Sequence, residues 1–292
     1  MDTRIMFVHT LSPLHAGTGQ GIGVIDLPIA REKATAIPFL PGSSLKGVFR
    51  DACRPKDSCT RIFGPDTMNA ETHAGAVHFT DARLLLLPVR SLRGVFAWIT
   101  SPFLLRRLLR DAKDIKNVSI NAQAVSPADD ETCLVSGGGS ALVLTNNGSQ
   151  QVIIEDLPLN AISSPEVSAW AMWLGTALFP QDDDWQQLLN ERLCVVTDDV
   201  LSFLLETATE VTARIRIQEN QKTVERGALW YEEALPTETV LTGLVVAASD
   251  QAGVDEVFQT IKSLTGKVLQ FGGNATIGRG LCKTSLMEEI GS

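Results

Sequence analysis

A strand–helix–strand pattern stands at each end of the chain, and this pairing constrains the fold more than any other feature. At the front, Arg4 to Leu11 reads as a strand with Ile5, Phe7 and His9 on one side. A helix follows, carrying Leu45, Val48, Phe49, Ala52 and Cys53 at helical spacing, and Val77 to Leu87 reads as the next strand. At the back, Val240 to Ala247 is a strand, Asp255 to Gln270 a helix, and Leu281 to Met287 a last strand. Two such units are the halves of a ferredoxin-like βαββαβ sheet. The expectation is one α/β (α+β) domain over residues 1–292, closed by its two ends, with the middle looped out as large insertions. No internal repeat, low-complexity tract or long linker forces a second domain.

Within the middle, Pro55 to Gly75 reads as a polar excursion and Val95 to Thr100 as a strand. Ser101-Pro102 and Ser164-Pro165 are helix starts, the proline occupying the first turn, where its missing N–H costs nothing. Asp182 to Leu193 is a further helix, and Asn146-Asn147-Gly148 a hairpin turn. Val211 to Ile217 and Thr223 to Tyr231 form a long basic hairpin with Arg214, Arg216, Lys222 and Arg226. Ser43 or Ser44 is placed to cap the front helix, on which Lys46 and Arg50 share a face.

Hydrophobic residues make up 44% of the chain, enough for a sizeable core, yet no apolar run reaches the roughly 18 residues of a membrane span. The N-terminus lacks the pattern of a secretory signal. The five cysteines (Cys53, Cys59, Cys133, Cys194, Cys282) are scattered, which argues for reduced thiols filling space in a cytoplasmic protein. A net charge of −9 argues against a simple electrostatic nucleic-acid binder, so any RNA contact must rest on local basic clusters.

Two glycine-rich loops stand out, Gly17 to Gly23 and Gly272 to Gly280. The first follows a strand, but its G-x-G-x-G-x-G spacing and the extended stretch Val24 to Ile29 exclude a dinucleotide fingerprint. In the second, Gly273 and Gly278 have P-loop spacing, but Arg279-Gly280 replaces Lys-Ser/Thr and a strand follows. Backbone N–H groups in such loops can reach an RNA phosphate, although tight turns alone also call for glycine. His15 sits in the first loop, where a lone histidine is ordinarily solvated. Asp26 lies between Ile25 and Leu27, so alternation turns its side chain away from theirs. The histidines have no metal-ligand spacing, and no Ser-His-Asp pattern is present.

Leu40-Pro41-Gly42-Ser43-Ser44-Leu45-Lys46-Gly47-Val48-Phe49-Arg50 resembles the first signature of the RAMP superfamily of CRISPR-associated proteins, and Gly272 to Gly280 resembles its C-terminal glycine-rich loop. With Leu14-His15-Ala16-Gly17-Thr18-Gly19, Asp26 and Leu229 to Pro236, the chain is similar to the backbone-forming RAMP subunits of type III-B (Cmr) effector complexes. The resemblance runs from Arg4 to about Met287 and is thin between Pro55 and Pro180. It implies an RRM-like palm (1–53 and 238–292), helical or finger insertions (about 54–207) and a thumb hairpin (about 209–232). It also implies copies stacked head to tail on a guide RNA beside other Cmr subunits, and regular cutting of the paired target RNA. The implied cut depends on Mg²⁺ or Mn²⁺, with Asp26 as catalytic and metal-binding carboxylate and His15 and Glu232 near it. The implied RNA contacts are Ser43, Ser44, Lys46, Arg50, Arg214, Arg216, Gly273, Gly278 and Arg279. A non-catalytic structural RAMP subunit and a metal-free nuclease that processes guide precursors are the alternatives.

Overall fold

A computed structural model of the protein describes the chain apart from residues 1, 20, 22, 66–73, 114, 116–117, 119, 121, 124, 147, 218–223, 249–251 and 288–292, and apart from the side chains of 56–58, 146 and 224–226. The front half runs β1 (Asp2–Thr10), β2 (Phe39–Leu40), α1 (Gly42–Ala52), α2 (Lys56–Phe63), β3 (Val77–Phe79) and β4 (Ala82–Arg90). The middle continues through β5 (Phe96–Thr100), α3 (Pro102–Ala112), β6 (Thr132–Ser136), β7 (Leu144–Asn146), β8 (Ser149–Ile154) and β9 (Leu157–Ser164). Next come α4 (Pro165–Leu178), α5 (Asp183–Arg192), β10 (Leu193–Val195) and α6 (Asp198–Thr207). The chain ends with β11 (Glu210–Ile217), β12 (Val224–Ala234), β13 (Val240–Ala247), α7 (Val254–Leu264), β14 (Val268–Gln270) and β15 (Leu281–Leu286).

The two ends close on each other as the pattern requires. Strands β15, β1, β13 and β4 are neighbours in that order, all antiparallel, which is the 4-1-3-2 order of a ferredoxin-like sheet. Beyond β4 the same sheet runs on through β5, β10, β6, β9, β8 and β7. The insertion therefore extends the sheet as well as adding helices. Only β11 and β12 stand apart, as a two-stranded sheet.

Both faces of β1 are covered. Ile5 and Phe7 enter a core with Leu105 and Leu108 of α3 and Trp170 and Leu174 of α4. Met6 and Val8 enter another with Leu45 and Phe49 of α1 and Val257 and Ile261 of α7. At about 1.5–3 kcal/mol for each fully buried side chain, this central strand anchors both layers. The one-sided reading of the strand covers only half of it.

Other expectations are corrected. Neither Ser43 nor Ser44 caps α1; Pro41 holds the cap position, and the Asp81 carboxylate accepts the first helical N–H, from Gly42, at 2.8 Å. The last helix stops at Leu264, because Gly266 adopts φ 77° and the chain turns back as β14. Val24 to Ile29 is not a strand: it makes only isolated bridges, and Val24 is 90% exposed. The cysteines are not all free thiols. The turn at Arg54-Pro55 between α1 and α2 brings the Cα atoms of Cys53 and Cys59 to 5.9 Å, and the two are disulfide-bonded. Ser164 does cap α4, accepting from the Val167 N–H. Asn146 pairs with Ser149 across the expected hairpin turn, whose Asn147 lies outside the described residues.

Candidate functional site

The site is built where the loop after β1 lies against the root of the β11–β12 hairpin. Leu27 N–H donates to the Tyr231 carbonyl at 3.1 Å, and Glu233 N–H donates to the Leu27 carbonyl at 3.0 Å. These bonds lay the Asp26-Leu27 segment along β12. Asp26 is exposed at a bend, and its Oδ2 accepts the Tyr231 N–H at 2.7 Å. The bond commits one carboxylate oxygen and fixes the direction of the other. A cleft of about 440 Å³ opens beside it, lined also by Arg216, Gly227 and Trp230.

Strand alternation gives the hairpin two unlike faces. Thr212, Arg214, Trp230 and Glu232 lie on one, paired across the strands. On the other, Val211, Ile215, Leu229 and Tyr231 are exposed apolar residues. Of the remaining expected hairpin cations, Lys222 and the side chain of Arg226 lie outside the described residues.

His15 is buried rather than solvated. Its Nδ1 donates to the Glu233 carbonyl at 2.6 Å. Gly17 makes room for the ring: a Cβ there would lie 2.5 Å from Nε2. Gly272, at φ 72°, passes so close to the His15 carbonyl that a Cβ would collide with it, and Gly273 N–H donates to that carbonyl at 2.9 Å. Both glycine-rich loops therefore converge on His15.

Glu232 is a buried carboxylate that ties the hairpin to the late glycine loop. It accepts from Trp230 Nε1 at 2.9 Å, Arg214 Nε at 3.2 Å and Asn274 Nδ2 at 3.0 Å. Burial pushes its pKa up, but the Trp230 hydrogen bond, the Arg214 guanidinium and nearby His15 overcome this and hold it below the ordinary glutamate range. Glu233, on the other face, is spent on structure, accepting from Ile29 N–H, Arg31 and Thr209.

Arg279 donates to Thr212 at 3.2 Å and pairs with Glu210 at 3.6 Å, so the loop is fastened to the hairpin root a second time. Gly278 closes the short turn Ala275–Ile277 within that loop. Lys46 and Arg50 are half-buried on α1, with Ser43 exposed and Ser44 half-buried at its start. Burial, and then the neighbouring Arg50 charge, push the Lys46 ammonium below the usual lysine range. The helix packs beside the glycine loop through Phe49 and Phe271, whose ring centroids are 6.2 Å apart.

The structure thus gathers Asp26, His15, Glu232, Arg214, Arg216 and the 272–280 loop at the hairpin root and sets Lys46 and Arg50 on a neighbouring helix. Sequence reasoning missed Tyr231 N–H, Trp230, Arg31 and Asn274. Only Asn274 left a signal, as an amide side chain in a glycine loop. Among the described residues, Asp26 is the only carboxylate lining the cleft, and no group of three His, Cys, Asp or Glu side chains could hold a metal. The Asp26 carboxylate is an oxygen donor of the kind that suits a hard ion such as Mg²⁺ or Mn²⁺.

A sequence profile of the RAMP superfamily matches residues 7–283. The CRISPR system Cmr endoribonuclease Cmr4 of Pyrococcus furiosus is 34% identical over 304 residues, covering 99% of this chain and 97% of that protein. The crystal structure of oligomeric Cmr4 from Pyrococcus furiosus superposes with a TM-score of 0.76 at 27% identity, covering 99% of both chains. A chain of a type III-B Cmr-beta complex bound to cognate target RNA shares the fold, with a TM-score of 0.72 at 20% identity over 98% of this chain and 97% of that one. With its palm order, its hairpin and its two converging glycine loops, this chain belongs to the RAMP superfamily and, within it, to the Cmr4 group of type III-B subunits.

Proposed function

We propose that the chain is the guide-RNA-binding backbone subunit of a type III-B effector complex and that it cuts guide-paired target RNA at Asp26. The observation that carries this is the Asp26 carboxylate, exposed beside a cleft and held in one orientation by the Tyr231 N–H. The name of the Pyrococcus relative, an endoribonuclease, and the oligomer formed by that protein support the same reading.

RNA carries its own nucleophile, the ribose 2′-hydroxyl. The protein must align it with the phosphate and the leaving oxygen, then manage protons and charge. Asp26 accepts the 2′-hydroxyl proton or holds the hydroxyl in line. Arg216, lining the same cleft, offsets charge on the attacked phosphate. His15, held by the Glu233 carbonyl and the glycine loops, and Glu232, bonded to Asn274, fix the hairpin root. Asp26 would hold a Mg²⁺ or Mn²⁺ ion, whose chemistry there would be Lewis-acid stabilisation of negative charge.

In this reading the palm (1–53 and 238–292) carries the guide along α1 and the 272–280 loop, where Ser43, Ser44, Lys46, Arg50 and the backbone of Gly273 and Gly278 meet phosphates. The 209–232 hairpin is a thumb that wedges between bases, and the 54–207 insertion faces neighbouring subunits. Copies associate head to tail, because a chain that tracks linear RNA needs a heterologous interface. A target RNA with one 2′-deoxy sugar at one cut position tests the chemistry. Cutting should fail there and persist at the other positions; cutting at the deoxy position refutes attack by the 2′-hydroxyl.

A further inference from the structure

A second cavity, sharing no residue with the Asp26 cleft, opens along β15 between the end of α7 and the turn joining α4 to α5. At about 930 Å³ it lies within the size range of small-molecule sites. One wall is aromatic. The rings of Phe179 and Trp185 lie 5.2 Å apart, inclined at 34°, and His9 packs edge-on against both. Glu238 holds His9 at 2.6 Å, so this wall is fixed before any ligand arrives.

The charged groups of the cavity are few and unlike one another. Lys262 and Lys283 line it as cations in a chain of net charge −9. Asp182 lines it too, one of its oxygens accepting the Trp185 N–H at the start of α5.

We propose that this cavity binds a nucleoside phosphate, with the base against Phe179 and Trp185, the ribose hydroxyls at Asp182, and the phosphate at Lys262 and Lys283. Each part follows from the lining. Flat bases bind aromatic side chains, ammonium groups take phosphate as point charges, and a carboxylate accepts from ribose hydroxyls. A free mononucleotide and the phosphorylated end of an RNA strand present the same chemistry.

Calorimetric titration of the full chain with AMP tests this. AMP should bind saturably, with adenosine alone and inorganic phosphate alone each at least about 10-fold weaker. Lys283→Gln and Lys262→Gln should each weaken AMP about 10-fold and leave adenosine binding unchanged. Displacement of AMP by a 5′-phosphorylated oligoribonucleotide at lower concentration would assign the site to a strand end, and failure to displace would assign it to the free nucleotide. The proposal is overturned if AMP shows no saturable binding at millimolar concentration, if adenosine binds as tightly, or if both variants keep wild-type affinity.

Discussion

Asp26 Oδ2 accepts a 2.7 Å hydrogen bond from the Tyr231 N–H, 205 residues further along the chain. The carboxylate at the front of the protein is thus aimed by the hairpin near its back. Position should matter as much as charge. Asp26→Glu keeps the charge but carries it one methylene further, out of register with Tyr231 N–H. Single-turnover cleavage should fall by up to about 10²-fold, the scale of a 1 Å misplacement. A rate equal to wild type would mean that the orientation set by Tyr231 is irrelevant.

Glu232→Gln should loosen the join between hairpin and glycine loop. Arg214 loses its counter-charge, and unfolding measured in urea should show a loss on the order of 1–3 kcal/mol at neutral pH. The pH dependence has a definite sign. Because the folded pKa lies below the ordinary 4.5, the charged form contributes its full stability above pH 4.5 and loses it as pH falls through the lower folded value. The gap between wild type and variant should therefore narrow below pH 4.5. A gap independent of pH would show that the charge of Glu232 contributes nothing.

Lys46→Ala with Arg50→Ala should weaken RNA binding for every sequence alike and flatten the slope of affinity against salt by up to about two counterions. Filter binding over a range of salt concentrations reads this directly. An unchanged slope would remove α1 from the RNA path.

Much of the fold was legible because its signals are local. Ser164-Pro165 announced α4, the alternation of Val211 to Ile217 announced the hairpin, and the paired strand–helix–strand ends announced the sheet order. The extension of the sheet through the insertion was not legible, since parallel neighbours such as β6 and β9 meet without a turn to mark them. At the site, Asp26 and His15 were named from resemblance, but their settings were hidden. His15 is buried by glycines from two distant loops, and the Asp26 partner is a backbone N–H that no side-chain pattern encodes. Cys53 and Cys59 looked unrelated because only the intervening turn brings them together.

Association should be open-ended. A heterologous interface that does not close on itself yields growing oligomers, so the mass measured by light scattering should rise with protein concentration and with RNA length. A mass fixed at one copy in the presence of long RNA would contradict the backbone role.

The most direct test of the central claim is single-turnover cleavage of guide-paired target RNA by a complex reconstituted with Asp26→Asn. The substitution keeps the shape and removes the charge. With guide and target binding intact, the rate should fall by at least about 10²-fold, the scale of losing a positioned acid–base group. Cleavage at the wild-type rate would contradict the assignment of Asp26 as the catalytic carboxylate.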